Sequence, residues 1–136
     1  MIVEDVGTEE AYGMLRSKGY SFPIGMILSL NYPIDMIKER IRIGASFYHV
    51  INYSNDKHDK LVEAAEEAHR IGARIYVFLL LGIGKNKKLF KKLGQPYVEP
   101  KELKDTISIL EGTVDGIALS SPMEPLEGLR QLRKTA

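Results

Sequence analysis

The sequence contains no cysteine in its 136 residues. That absence excludes disulfide bonds, thiolate metal ligands, cysteine nucleophiles and cysteine-held iron–sulfur clusters. Disulfides are the usual mark of secreted domains, and no basic segment followed by an apolar run opens the sequence, so we expect a cytoplasmic protein. Tryptophan is missing as well and glutamine is scarce, whereas isoleucine, lysine and glutamate are common, a composition that indicates a thermostable protein.

The sequence also lacks an excess of charge of one sign and a long apolar run. Nineteen basic residues against eighteen acidic ones give a net charge of +1, so no overall field attracts the chain to nucleic acid or to a membrane. The longest apolar run is far shorter than the roughly 20 residues that a membrane helix needs. A hydrophobic content of 44% and a charged content of 27% are ordinary for one globular domain, which we expect to span residues 1–136.

What the sequence does contain is organised around one apolar stretch, residues 75–81. Because the stretch does not alternate with polar residues, it predicts a strand buried on both faces, as a central parallel strand is. Strand and helix patterns alternate along the whole chain, which predicts parallel pairing with right-handed crossovers. The predicted fold class is therefore α/β, with four to five β/α units around a parallel sheet.

Local signals set the expected element boundaries. Thr8 is the predicted N-cap of the first helix, and Asn55 or Asp56 that of the third. Pro33 and Pro100 suit the first turns of two further helices, because proline has no amide hydrogen to lose there. The strands are expected within residues 1–6, 23–30, 45–52, 75–81 and 114–120.

Two architectures fit this pattern. One is an open three-layer sheet with helices on both faces, and the other is a partial, half TIM-barrel-like sheet with all helices on one face. A half barrel leaves the inner strand face uncovered, and the apolar residues available for that face are Ile27, Phe47, Val77 and Leu79. Such a face needs a partner, and free sheet edges also favour pairing, so we expect a homodimer.

Two stretches, residues 68–82 and 114–126, resemble the later β/α units of the radical-SAM superfamily barrel. In that family the first stretch is a helix end, a strand and a glycine near the cofactor, and the second is a strand followed by a proline-bearing loop. The resemblance implies a barrel-like architecture with a ligand near Gly82. The three cluster cysteines are absent, and Lys85 stands where the family has an acid, so radical chemistry is not carried over.

The loop after the central strand is the first candidate site. Ligands bind beyond the carboxyl ends of the strands in parallel sheets, and glycines allow backbone amides to approach an anion. The predicted ligand-binding residues here are Gly82, Gly84, Lys85, Asn86, Lys87 and Lys88. The spacing is not that of a Walker motif, and a solvated turn is the alternative. The segment 84–98 contains five lysines and no acid, which favours an anionic ligand, and it is either a lid or a mobile loop.

Polar residues at other strand ends give further candidates. His49, Asn52 and Asp56 lie in or after the third strand, where catalytic groups of β/α enzymes lie, and His49 could act as a base. A hydrogen-bonded core histidine and a capping aspartate are the alternative interpretation. Ser120 and Ser121, at the end of the last strand, are predicted ligand contacts. Glu124 is a candidate acid or metal ligand, and a side chain that faces water is the alternative interpretation. His58 and His69 form no metal-binding spacing with each other or with nearby acids.

Three functions follow as hypotheses. The first is a protein that binds an anionic, for example phosphorylated, small molecule at the strand ends, with catalysis and cofactor left open. The second is an interaction or regulatory subunit that keeps the fold without chemistry. The third, nucleic-acid contact through the lysines, is opposed by the neutral net charge and by the lack of interleaved aromatic residues.

Overall fold

Among the described residues every strand is followed by at least one helix, as the sequence predicts, and the fourth strand is followed by two. The computed structural model describes residues 2–4 and 9–135, so Thr8, the predicted N-cap, lies outside the described residues. The strands are β1 (Ile2–Glu4), β2 (Ile24–Ser29), β3 (Phe47–Ile51), β4 (Arg74–Leu80) and β5 (Gly116–Ser120). The helices are α1 (Glu9–Ser17), α2 (Ile34–Arg42), α3 (His58–Arg70), α4 (Lys85–Lys92), α5 (Pro100–Leu110) and α6 (Pro125–Thr135).

The five strands form one parallel sheet in the order β1-β2-β3-β4-β5, which confirms the predicted α/β fold class. Within residues 2–4 and 9–135 the sheet does not close into a barrel, since β1 pairs only with β2 and β5 only with β4. In a sequential order, right-handed crossovers carry the connecting helices to the same side of the sheet. The strand order therefore corresponds to the half-barrel alternative.

The hydrophobic core lies between the sheet and its helices. On the strand side it contains fully buried residues such as Met26, Tyr48 and Val77, and on the helix side residues such as Ile41 and Leu103. Three alanines of α3, Ala64, Ala65 and Ala68, are buried in this core and let the helix lie close to the sheet. We call this side of the sheet the covered face.

The opposite side of the sheet, which we call the open face, is also apolar. Register places Ile27, His49 and Tyr76 side by side on neighbouring strands, with Phe78 beside Ala118 further along. These side chains are half-buried. These side chains shield one another across neighbouring strands. No helix of the described residues packs over them, so the face remains accessible.

Two sequence-based expectations about the sheet are wrong. The central strand is not buried on both faces, because buried and half-buried residues alternate along it. Val77 and Leu79, expected on the inner face, lie on the covered face and are 0% and 1% exposed. An unbroken apolar sequence cannot reveal which face lacks helices, because both sets of side chains are hydrophobic.

The start of the third helix also differs from expectation. Residues Asn55–Lys57 form a single 3-10 turn, and α3 begins after it without a side-chain cap. Asp56 instead accepts a hydrogen bond from the Ser54 hydroxyl. Neither Asn55 nor Asp56 is therefore the helix cap that the sequence predicted.

Asp115 fixes the start of β5 to the neighbouring strand and helix. Its Oδ2 accepts hydrogen bonds from the Ile75 N–H and from His69 Nε2, both at 2.8 Å. Partial burial raises the pKa of this carboxyl, but the two hydrogen bonds and the attraction of His69 and Arg74 lower it further, so the net pKa lies below its ordinary value. The ionised carboxylate is therefore stabilised by folding.

We expect Asp115→Asn to lower the melting temperature at pH 7. A carboxyl with a depressed folded pKa contributes stability above its unfolded pKa, about 3.9, and that contribution is lost as pH falls through the lower folded value. The difference in melting temperature between the two proteins should therefore shrink below about pH 4. Thermal melts from pH 7 to pH 2 measure this difference, and Asp105→Asn at an exposed position is the control. A difference that does not change with pH would contradict the role assigned to the Asp115 carboxylate.

Candidate functional site

A cavity of about 320 Å³ lies on the open face at the carboxyl ends of the strands. Its lining residues are Ile27, Ile51, Asn52, Phe78, Leu80, Gln95 and Ser120. The apolar side chains form the floor, and two amides and a hydroxyl lie at the rim. A mostly apolar cleft with a few converging polar groups is the usual form of a small-molecule site.

Asn52 holds the rim of this cavity together. Its Oδ1 accepts a hydrogen bond from Ser29 Oγ at 2.8 Å, and its Nδ2 donates to Gln95 Oε1 at 2.7 Å. Asn52 has φ of 63°, a left-handed backbone conformation that asparagine tolerates better than most residues. This conformation turns the chain out of β3, and the side chain then joins β2 to the segment after α4.

Sequence reasoning identified Asn52 but missed Gln95 and Ser29. Gln95 lies 43 residues beyond Asn52 in the chain, and no periodicity relates the two. The one available signal was a glutamine followed by proline inside an unusually long loop. Ser29 ends a predicted strand, and its position at the tip could have been inferred from that.

His49 lies in the middle of β3 on the open face and not at the strand end. Its ring centroid is 5.2 Å from that of Phe47, 5.6 Å from that of Tyr76 and 5.1 Å from that of Phe78. Burial lowers the pKa of His49 below its ordinary value, so the imidazole is neutral at pH 7. His49 lines a second cavity of about 410 Å³, which shares Phe78 with the first.

The three predicted catalytic residues are not brought together. His49 precedes Asn52 by three residues, about 10 Å along an extended strand. Asp56 is exposed and does not line either cavity. The hydrogen bond from Ser54 holds the pKa of Asp56 below its usual range. Of the three, Asn52 alone borders the tip cavity.

The glycines of the predicted anion loop make room for side chains of this protein. The Tyr97 ring packs directly on Gly82 and leaves no space for a Cβ there. Gly84 has φ of 53°, and a Cβ on it would lie 2.7 Å from Glu124 Oε1. The same carboxylate oxygen accepts a hydrogen bond from the Lys85 N–H at 3.3 Å. An anion at these amides would therefore compete with Glu124.

Asn86 and Ser121 join α4 to the loop after β5. Asn86 is fully buried, its Nδ2 donates to Ser121 Oγ, and its Oδ1 accepts from the Met123 N–H, each at 2.8 Å. The Ser121 hydroxyl donates to the Glu124 carbonyl. Both predicted ligand contacts thus have partners within the chain, and Ser120 is the serine that lines the cavity.

The lysine-rich segment is a folded part of the structure. It forms α4 and is anchored by Phe90, which is 3% exposed and lies 6.4 Å from the Tyr97 ring. Lys87 Nζ is 2.7 Å from Glu99 Oε1, and this hydrogen-bonded pair raises the pKa of Lys87. Among the described residues, the lysines of this segment without an ion pair are Lys85, Lys88, Lys91 and Lys92.

Comparison with known proteins adds no further information about the site. A scan against protein-family models and searches of curated proteins and of solved structures found no match. Within residues 2–4 and 9–135, no cluster of histidine and acidic side chains could hold a metal ion. In the same part of the chain no helix has the length and apolar character needed to cross a membrane. The radical-SAM resemblance stays a prediction.

We expect Asn86→Ala to destabilise the protein by about 1–3 kcal/mol, because the Met123 N–H and the Ser121 hydroxyl lose a buried partner. Urea denaturation measures the free energy of unfolding. The matched control is Asn55→Ala at an exposed position, which should change it by less than about 0.5 kcal/mol. Equal effects of the two substitutions would contradict the role assigned to Asn86.

Proposed function

We propose that this protein binds a small molecule in the tip cavity of the open face. The observation that carries the proposal is the convergence of Asn52, Gln95 and Ser120 over an apolar floor at the carboxyl ends of the strands. A volume of about 320 Å³ is at the lower end of the range for ligand sites, which fits a small ligand. The polar rim would orient the ligand, and the floor would bind its apolar part.

The lysines of α4 support an anionic group on this ligand, such as a phosphate. Among the described residues, those that line the cavity are all uncharged. A basic side chain that neutralises the ligand's negative charge would therefore lie at the edge of the cavity. Gln95 follows α4 closely and reaches the rim, which places the lysine-bearing segment next to the cavity. Because Glu124 already contacts the loop amide, the anion would be bound by side chains such as Lys85 and Lys88. We assign binding and no reaction.

Inorganic phosphate tests the anionic part of the proposal. With a millimolar dissociation constant, 10 mM phosphate should stabilise the protein by about 1.4 kcal/mol through mass action. The triple variant Lys85→Ala, Lys87→Ala, Lys88→Ala should lose this stabilisation, measured as the shift in melting temperature. A control with the same charge change, Lys101→Ala, Lys104→Ala, Lys134→Ala, should keep it. No stabilisation of the unmodified protein by phosphate or sulfate would end the proposal of an anion site.

A second candidate function is that of an interaction subunit that self-associates as a homodimer and has no chemistry of its own. The observation that favours it is the open face, where Ile27, Tyr76 and Phe78 lie half-buried around His49 and no helix of the described residues covers them. Contiguous apolar surface of this kind marks interaction sites. A cytoplasmic location and thermostability stay predictions from composition, and nucleic-acid binding is not proposed.

Light scattering at micromolar concentration tests self-association. We expect a mass of twice the chain mass of 15.3 kDa. The physical reason is that an apolar sheet face and two sheet edges are removed from water together. A clean value of one chain mass over the whole concentration range would exclude the homodimer.

A further inference from the structure

The β5 end of the sheet is less well covered than its centre. In β4 every second residue is buried, whereas all five residues of β5 are only half-buried. Ile117 and Leu119, which continue the covered face, are partly exposed although they pack against the core. In the described part of the chain, no helix or strand completes the burial of the covered face at this end.

The apolar side of helix α6 is also incompletely buried. Leu126, Leu129 and Leu132 fall on one side of it at helical spacing, and they are 68%, 53% and 41% exposed. A groove of about 340 Å³ separates α6 from β5, lined by Leu119, Gly128, Leu129 and Leu132 among others. By contrast, α3 buries Leu61, Ala64, Ala65 and Ala68.

The difference has a topological cause. In a parallel sheet of β/α units each helix packs over its own strand and over the strand that follows. Helix α3 packs against β4, the strand that follows it, whereas in the described part of the chain no strand follows α6 and the sheet ends at β5. The leucines of α6 are therefore placed to cover a strand beyond β5.

The other end of the sheet offers such a strand. Within the described residues β1 pairs only with β2, so its outer edge is unpaired. If β1 of a second copy continued the sheet beyond β5, then α6 would lie beside α1 of that copy. Helix α6 has three basic residues against one acidic, and α1 has two acidic against one basic, so the two helices have opposite net charge. Met14 on α1 is 62% exposed.

We propose that the β5–α6 edge of one copy joins the β1–α1 edge of a second copy, and that the pair closes through a two-fold axis. The proposal rests on the self-association proposed above and names the surfaces that carry it. Two-fold closure repeats the same junction twice and leaves no sheet edge free. The two open faces then line one interior, and the tip cavities of both copies face a shared space.

A pair joined face to face is the competing arrangement. It would cover the open faces but leave the α6 leucines and both sheet edges in water. Only the edge-to-edge arrangement accounts for the open face, the α6 leucines and the unpaired β5 edge at once. The two arrangements differ in whether a charge on α6 disrupts the pair.

Leu129→Glu provides the test, because its position is half-exposed in the single chain and the substitution should not prevent folding. We expect this variant to be monomeric by light scattering at concentrations where the unmodified protein is paired, with an unchanged circular dichroism spectrum. The matched control is Leu93→Glu, a leucine 60% exposed after α4 and away from both edges, which should stay paired. A paired Leu129→Glu protein overturns the junction but not self-association, and a monomeric unmodified protein overturns both.

A mixing experiment tests the asymmetry of the junction. We expect Met14→Lys at the α1 edge, which places a positive charge against the basic helix α6, and Leu129→Glu at the α6 edge, which places a negative charge against the acidic helix α1, each to be monomeric alone. Mixed in equal amounts, they should form one-to-one pairs, because one of the two junctions then joins two unmodified edges. Pairs in the separate proteins, or no pairs in the mixture, would overturn the proposal.

Discussion

The structure depends on one constraint, the sequential order of its parallel strands. Each new strand is added on the same side of the sheet, and because β/α crossovers are right-handed as a rule, this order carries the connecting helices to one face. The covered face gains a core of fully buried residues, and the open face keeps residues such as Phe78 in partial contact with water. The tip cavity, the aromatic cluster around His49 and the exposed edge at β5 all follow from this uneven coverage.

Two groups of polar side chains hold the strand ends in place. Asn52 joins Ser29 to Gln95, and Asn86 joins α4 to the loop after β5 through Ser121 and Met123. No buried side-chain nitrogen or oxygen in the described residues is without a hydrogen bond. Complete hydrogen bonding matters most at the carboxyl ends of the strands. An unpaired buried amide there would cost about 1–3 kcal/mol of stability and loosen the cavity rim. The Asn52 amide has a second N–H beyond the one given to Gln95, so it can hold the rim and still donate to a ligand.

The sequence was sufficient for the fold class because strand and helix signals are local. Proline before α2 and the positive-φ glycines Gly44 and Gly72 mark element ends in both the sequence and the structure. It was insufficient for the faces of β4, because apolar residues occupy both sides and the difference comes from where the helices lie. It was also insufficient for the hydrogen-bond partners of Gln95 and Glu124. Each acts across more than 35 residues of chain, on a partner that only the folded loops bring near.

The position of Glu124 changes how an anion would be recognised. A glycine loop after a strand can bind a phosphate through backbone amides, but here the chain supplies a carboxylate at the Lys85 N–H. Anion binding then depends on flexible lysine side chains, whose attraction is screened within about 8–10 Å at physiological salt. Such lysines attract a ligand without fixing its orientation. If the proposed ligand binds here, discrimination among ligands would therefore lie with the neutral rim of Asn52, Gln95 and Ser120, because each hydrogen bond has a direction and a wrong partner leaves a polar group unpaired.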